Sequence, residues 1–286
     1  MSMYQIPLTK IKLVIAKLLY RLLRLLGFSN QQYVNRNGIF YELDLSEGID
    51  LHIFLFGNFQ DHIFNHKLYQ LPKNAVIFDI GANIGDTTLN FAKLVKQGKV
   101  YAFEPTDYAW QKLIRNVSLN PSLYHRIIPY KVFIADETKD NSDLIAYSSW
   151  KVDSHDKKSH PYHGGLPMSA TNTASITLDD FCTREKISRV DLIKIDTDGH
   201  ECSVLKGAIK TLSMHKPAII FEISQYTLIE EGKTFEWLWH LLSSVGYKYL
   251  INIINNRLIT IDNYKKELPA STTTDVIALF EMPSEI

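Results

Sequence analysis

A chain of 286 residues with 45% hydrophobic side chains can bury one large α/β core or two small ones. Lys plus Arg and Asp plus Glu both total 31, so no global basic field draws the chain onto nucleic acid by counterion release, and no nucleic-acid partner is expected. The two cysteines, Cys182 and Cys202, lack CxxC spacing, which speaks against a disulfide scaffold or a structural zinc site and for buried thiols in a reducing cytoplasm.

From Leu8 to Phe28 the segment LTKIKLVIAKLLYRLLRLLGF places Ile11, Val14, Ile15, Leu18, Leu22 and Leu25 at helical spacing. Lys10, Lys17, Arg21 and Arg24 share another face, so residues 1–32 are expected to hold an amphipathic basic helix. Charges interrupt the apolar run of roughly 20 residues that spans a bilayer, and the apolar core and small-residue cleavage site of a signal peptide are missing. Two readings stay open. The helix lies in the interface of an anionic membrane through residues 8–28, placing a cytoplasmic chain peripherally at the inner membrane face, or it packs on the domain or on a second subunit, making an oligomer.

Residues 33–74 read as a hairpin and lead-in, with Asn37-Gly38 suited to the positive φ angles of a tight turn. The α/β domain, 75–286, begins with AVIFDIG, a short apolar run without alternation, as in a strand covered on both faces. A helix over 86–97 follows, then the strand 99–104 and a helix bearing Trp110, Leu113, Ile114 and Val117 on one face, with Thr106 as its N-cap. A third strand, about 127–134, leads to Ala135-Asp136. Residues 137–175 lose periodicity and read as a long functional or mobile loop. Beyond it come a helix near 177–185, the strand 190–196, a helix carrying Leu205, Ala208, Ile209 and Leu212, the strand 218–224, a helix over 234–245 capped by Thr234, two strands about Asn255-Asn256 and a last strand, 276–280. Strands alternating with helices predict a mostly parallel sheet with right-handed crossovers. There is no internal repeat and no linker rich enough in Pro or Gly to separate two domains.

The strongest local signal is Asp79-Ile80-Gly81-Ala82-Asn83-Ile84-Gly85, at the first strand-to-helix turn, where a doubly wound sheet brings backbone close to a ligand. Glu104 ends the second strand, where a carboxylate accepts hydrogen bonds from a ribose diol and repels a 2′-phosphate. An unphosphorylated adenosine compound is therefore expected. The loop departs from the GxGxxG fingerprint, which disfavours a pyrophosphate cradle. Asp136 stands where it could accept from the exocyclic amine of adenine, or serve as a turn residue. The fourth strand ends in Ile195-Asp196-Thr197-Asp198-Gly199-His200-Glu201, and Glu222 ends near the same rim. Asp198 and Glu201 could instead favour the start of the next helix.

VIFDIGANIGDTT, VYAFEP, TLDDF at 177–181 and DLIKIDTDGHECSVLKGA together resemble the FkbM-type family of class I S-adenosylmethionine-dependent methyltransferases, over about Ala75 to Ser224. The resemblance implies an α/β fold with a doubly wound, mostly parallel, seven-stranded Rossmann-like methyltransferase sheet. It implies that Asp79, Gly81, Ala82, Asn83 and Gly85 line the methionine and ribose of S-adenosylmethionine, that Glu104 holds the ribose hydroxyls and that Asp136 lies by adenine. Family members commonly show Val-Glu-Gly where this chain has Thr197-Asp198-Gly199, and often Glu where Gln60 stands. The implied reaction is O-methylation of a hydroxyl on a sugar, glycan, glycolipid or related natural product, with Asp196, His200 and Glu222 as candidate bases. No metal is expected, since His155, His160 and His163 in the long loop are irregularly spaced. Two rivals are an NAD-dependent oxidoreductase on a Rossmann-like sheet and a non-catalytic membrane-associated binding protein.

Overall fold

Apolar runs that do not alternate become the centre of a sheet, and those that do alternate become its hairpins and edges. The computed structural model describes residues 8–64, 66–142, 145–148, 151–152, 166–169, 173–268, 270 and 272–282. Two compact units make up the chain, residues 1–59 with 147–168 and residues 60–146 with 169–286.

In the first unit the helix Leu8–Leu25 precedes an antiparallel hairpin, Gln31–Arg36 with Ile39–Asp44. Its turn holds Asn37 at φ 53° and Gly38 at φ 80°, the left-handed pair that Asn-Gly supplies with little strain. Ile39, Tyr41 and Leu43 are buried while Phe40 between them is exposed, so the alternation of the sequence is the alternation of the faces. Tyr20 of the helix packs with Leu45, Leu51 and Val152, flanked by Ala16 and Leu23. The face that packs is not the apolar stripe singled out in the sequence, for which packing was one of two open readings. Val14, Ile15, Leu18, Leu22 and Leu25 are all exposed. Among the described residues no helix is long and apolar enough to cross a membrane.

The second unit is built on a central sheet whose strands we number β1 (Val76–Ile80), β2 (Lys99–Phe103), β3 (Ile127–Tyr130), β4 (Leu192–Ile195), β5 (Ala218–Ile223), β6 (Tyr249–Asn252), β7 (Arg257–Leu258) and β8 (Thr274–Leu279). Their order is β3-β2-β1-β4-β5-β8-β6-β7. The first five are parallel, and β8 runs antiparallel to both β5 and β6. The sheet thus has eight strands where seven were expected, because the hairpin after β6 adds the two-residue β7 at the edge. The strand order reverses between β1 and β4, which opens a crevice at their carboxyl ends. One face is sealed by an aromatic cluster in which Phe181 meets Phe103 and Tyr130 edge-on, with ring centroids 4.8 and 4.9 Å away.

Several local expectations change. The strand expected over 127–134 divides, and Phe133–Ile134 leaves the main sheet to pair with Thr173–Ile176, which also pairs with Lys139–Ser142. The segment 137–175 therefore carries short strands, too brief to show periodicity, including a separate pair formed by Ile145–Ser148 and Leu166–Ser169. His155, His160 and His163 lie outside the described residues. The helix expected through Leu205 to Leu212 is two, Glu201–Lys206 and Ile209–His215. Between them Gly207 lies against Ala135, where an added Cβ would come within 2.1 Å of the Ala135 carbonyl oxygen. Thr234 caps Phe235–Ser244 as expected, accepting from the Trp237 amide. Thr106 precedes Asp107–Ser118, but its hydroxyl makes no cap bond and is drawn to Glu104 instead.

Candidate active site

The loop after β1 is held on two sides by backbone. The amides of Gly81 and Ala82 both donate to the Phe103 carbonyl at 3.0 Å, stitching the loop to the end of β2. On the other side an added Cβ at Gly81 would fall 1.8 Å from the Asp196 carbonyl oxygen, at φ +80°. Glycine is needed here because two strand ends meet, a reason distinct from the close ligand approach that the sequence suggested. Asn83 sits at φ 48°, and Gly85, at φ 91°, lets the helix Asp86–Leu94 start against Leu113.

Glu104 is buried and lies against this loop. Its Oε2 accepts from the Asn83 amide at 2.9 Å, and its Oε1 accepts from the Thr106 amide and hydroxyl at 2.9 and 2.6 Å. Burial pushes the carboxyl up, and these donors, with Lys194 nearby, oppose the shift. Asp79 is fully buried beneath the loop. Its Oδ2 accepts from the hydroxyls of Thr87 and Thr88 at 2.8 and 2.5 Å, which ties β1 to the first turn of the helix. Its Oδ1 has no hydrogen bond and lies 3.6 Å from Lys194 Nζ.

Lys194 is the residue that sequence reasoning passed over. It faces Asp79 in the register between β4 and β1, and it is buried. Its Nζ lies 3.3 Å from Asp196 Oδ2 and donates to the Gly81 carbonyl at 3.4 Å. Burial alone would lower its pKa, but the carboxylates of Asp196 and Asp79 outweigh that and hold it above the ordinary lysine value. The available signal was a lone cation inside the apolar run DLIKID, because a strand buried on both faces keeps a charge only where anions meet it.

Gln60 approaches from far away in sequence and donates to Asp196 Oδ2 at 2.9 Å. A glutamine there supplies a donor where glutamate would add a second negative charge. Asp196, Asp198 and Glu222 each place a carboxylate oxygen within 4.8 Å of the others, and among the described residues they are the one His, Cys or carboxylate group close enough to share a metal ion. Asp198 is held at φ 52° and is followed by Gly199 at φ 105°, a left-handed turn that keeps its carboxylate beside its neighbours. Burial pushes Asp198 and Glu222 well above the ordinary carboxylate range, and the negative charge of Asp196 adds to it in both. Glu222 also accepts from the Thr273 hydroxyl.

The remaining candidates make other contacts. Glu201 folds the turn, accepting from the Thr197 and Gly199 amides at 2.9 and 3.1 Å. The ring of His200 lies edge-on to Phe133 at 5.3 Å. Asp136 pairs with Lys206 at 2.7 Å and accepts from Ser203 Oγ at 3.1 Å. The Lys206 contact leads in holding its carboxyl below the usual range.

A parallel sheet that reverses between β1 and β4, with a glycine loop and a buried glutamate at the crevice, is the architecture of the Rossmann-like methyltransferases. The chain belongs to the FkbM methyltransferase family: the model of the Methyltransferase FkbM domain matches residues 79–249, more than half of the chain. Among relatives, it is 27% identical over 174 residues to "Methyltransferase sdnD" of Sordaria araneosa, covering 52% of this chain and 65% of that protein. It is 24% identical over 149 residues to "Hexuronic acid methyltransferase AglP" of Haloferax volcanii, covering 51% of this chain and 54% of that one. These matches thus span less than two thirds of either relative. Among solved structures, the methyltransferase FkbM of Methylobacillus flagellatus aligns with a TM-score of 0.46 at 17% identity, over 77% of this chain and 46% of that one. TYW2 of M. jannaschii, in complex with AdoMet, aligns with a TM-score of 0.45 at 18% identity, over 90% and 89% of the two chains.

Proposed function

We propose that this chain is an S-adenosylmethionine-dependent methyltransferase that methylates a hydroxyl of a sugar, a glycan or glycolipid, or a related natural product in the cytoplasm. The observation that carries the cofactor assignment is the bond from the Asn83 amide to Glu104, which keeps a buried carboxylate against the first loop. A carboxylate offers about four acceptor sites. Asn83 and Thr106 fill three, leaving one on Oε2 for a ribose hydroxyl. The Thr106 hydroxyl can turn away to release a second, whereas a 2′-phosphate would meet only repulsion. The residues present therefore fit an adenosine with an unmodified ribose, set over Gly81 to Gly85. Asp136 stands as the adenine contact in this reading, provided it shares its carboxylate with Lys206.

Bound there, the cofactor supplies a methyl group already activated on a sulfonium. What remains for the protein is to align an acceptor oxygen and take up one proton. The cluster of Asp196, Asp198 and Glu222 cannot hold three full charges at such separations. Lys194 keeps a positive charge beside Asp196, so the proton-accepting capacity falls on Glu222 and Asp198. We assign the base to Glu222, with Asp196 and Gln60 orienting the acceptor hydroxyl and His200 as the rival base. The sugar acceptor is supported by the hexuronic acid methyltransferase among the relatives. The absence of GxGxxG favours this reading over an NAD-dependent oxidoreductase.

Calorimetry with S-adenosylmethionine and with NAD tests the cofactor, with heat expected only from the former. Incubation with methyl-labelled cofactor and fractionated extract tests the acceptor, with label expected in polysaccharide or glycolipid. Binding of NAD alone would overturn the reading. Binding of S-adenosylmethionine with no transfer to any fraction would reduce the chain to a binding protein.

A further inference from the structure

The helix Leu8–Leu25 shows three faces along its described side chains. Ala16, Tyr20 and Leu23 fall on one side and pack with Leu45, Leu51 and Val152. Val14, Ile15, Leu18, Leu22, Leu25 and Leu26 fall on an adjacent arc roughly 120° wide, and their exposure runs from 51% to 85%. Lys17, Arg21 and Arg24 follow each other along the third face, with Arg24 also donating to the Phe28 carbonyl at 2.5 Å. Packing within the chain thus consumes the smaller apolar face and leaves the bulkier one outward.

Six large aliphatic side chains in one contiguous exposed strip need a partner that supplies both an apolar interior and anions. The helix carries no acidic residue, so a second copy of it offers nothing to the cation row. The chain as a whole is neutral, with 31 residues of each sign, so the basic residues of this helix, which has no acidic ones, leave the rest of the chain net negative. We propose that this helix docks the protein on the surface of an anionic bilayer, its Val14 to Leu26 strip lying among the acyl chains and Lys17, Arg21 and Arg24 at the level of the headgroups. It lies on the membrane and does not cross it. This inference does not depend on the methyl-transfer reading.

The test is co-sedimentation of the full chain with vesicles of phosphatidylcholine containing phosphatidylglycerol, against vesicles of phosphatidylcholine alone. Binding to the mixed vesicles is expected, weakened by salt and by about fivefold for each cation removed among Lys17, Arg21 and Arg24. The double variant L18E/L22E is expected to lose binding while its thermal midpoint and its heat of binding S-adenosylmethionine match the parent, since neither side chain is in the core. Failure of the parent to sediment with the mixed vesicles, or undiminished sedimentation of L18E/L22E, overturns the proposal. So does a dimer in solution that L18E/L22E dissociates when neither protein binds vesicles, because the strip then belongs to a second copy.

Discussion

Lys194 Nζ stands 3.3 Å from Asp196 Oδ2 while also facing Asp79 across the sheet, so one buried ammonium joins the floor of the first loop to the acidic end of β4. Replacing it with Met leaves two carboxylates without their cation. K194M should lose about 3–5 kcal/mol of stability, and the double variant D79N/K194M should regain part of it. Urea unfolding midpoints measure both. A K194M midpoint equal to the parent's would show that the two carboxylates need no cation.

Gly81 and Gly199 both have positive φ but differ in surroundings. A methyl at Gly81 meets the Asp196 carbonyl, whereas one at Gly199 has nothing within 4 Å. Gly81→Ala should cost about 3 kcal/mol or more and abolish the heat of S-adenosylmethionine binding. Gly199→Ala should cost only the left-handed strain, ~1–2 kcal/mol. Equal losses at the two positions would mean that backbone conformation, and not the contact with Asp196, sets the requirement.

With Glu222 as the base, E222Q should lower kcat by about 10²-fold or more while leaving the affinity for S-adenosylmethionine within a factor of about two, since no cofactor contact is assigned to it. The sign of the pH effect follows from burial. A base works deprotonated, and this carboxyl is raised, so activity should climb with pH along a limb lying above the ordinary value of 4.5. That limb should vanish in E222Q. If it survives there and disappears in a His200→Gln variant, the assignment passes to His200.

Glu201 gives a stability signature of its own. Burial pushes its carboxyl up to about 7, with the charge of Glu231 adding to it, despite the amide and hydroxyl of Thr197. Because the folded value exceeds the unfolded 4.5, the folded state keeps a proton that the unfolded chain has lost. This group's contribution is therefore complete below pH 4.5 and falls as pH rises to about 7. At ~1.4 kcal/mol per pH decade the loss is at most ~3 kcal/mol. Unfolding midpoints of the parent and E201Q at the two ends of that window should show a steeper decline in the parent, and parallel declines would contradict the assigned shift.

The thiols of Cys182 and Cys202 are buried and free, as their spacing suggested, and the Asn37-Gly38 hairpin forms with the left-handed pair that its composition favours. The strands β1, β2, β4 and β5 were legible for the same reason: propensity, non-alternating apolar runs and turn residues act over a few neighbours. The site is legible only in outline. Gln60 meets Asp196 across 136 positions, and Thr273 meets Glu222 across 51, through crossovers that no local pattern encodes. Lys194 is a lone cation in an apolar strand, and only the register sets it opposite Asp79. The basic helix is the sharpest contrast. Its amphipathic character is written in residues 8–28, but which of its apolar faces is buried depends on where Leu45, Leu51 and Val152 arrive. The sequence by itself determined the elements, the loop and the charges available to the site. Tertiary structure alone decided which charges became neighbours and which apolar stripe stayed outside the core, because both depend on contacts between segments that propensity and periodicity never bring together.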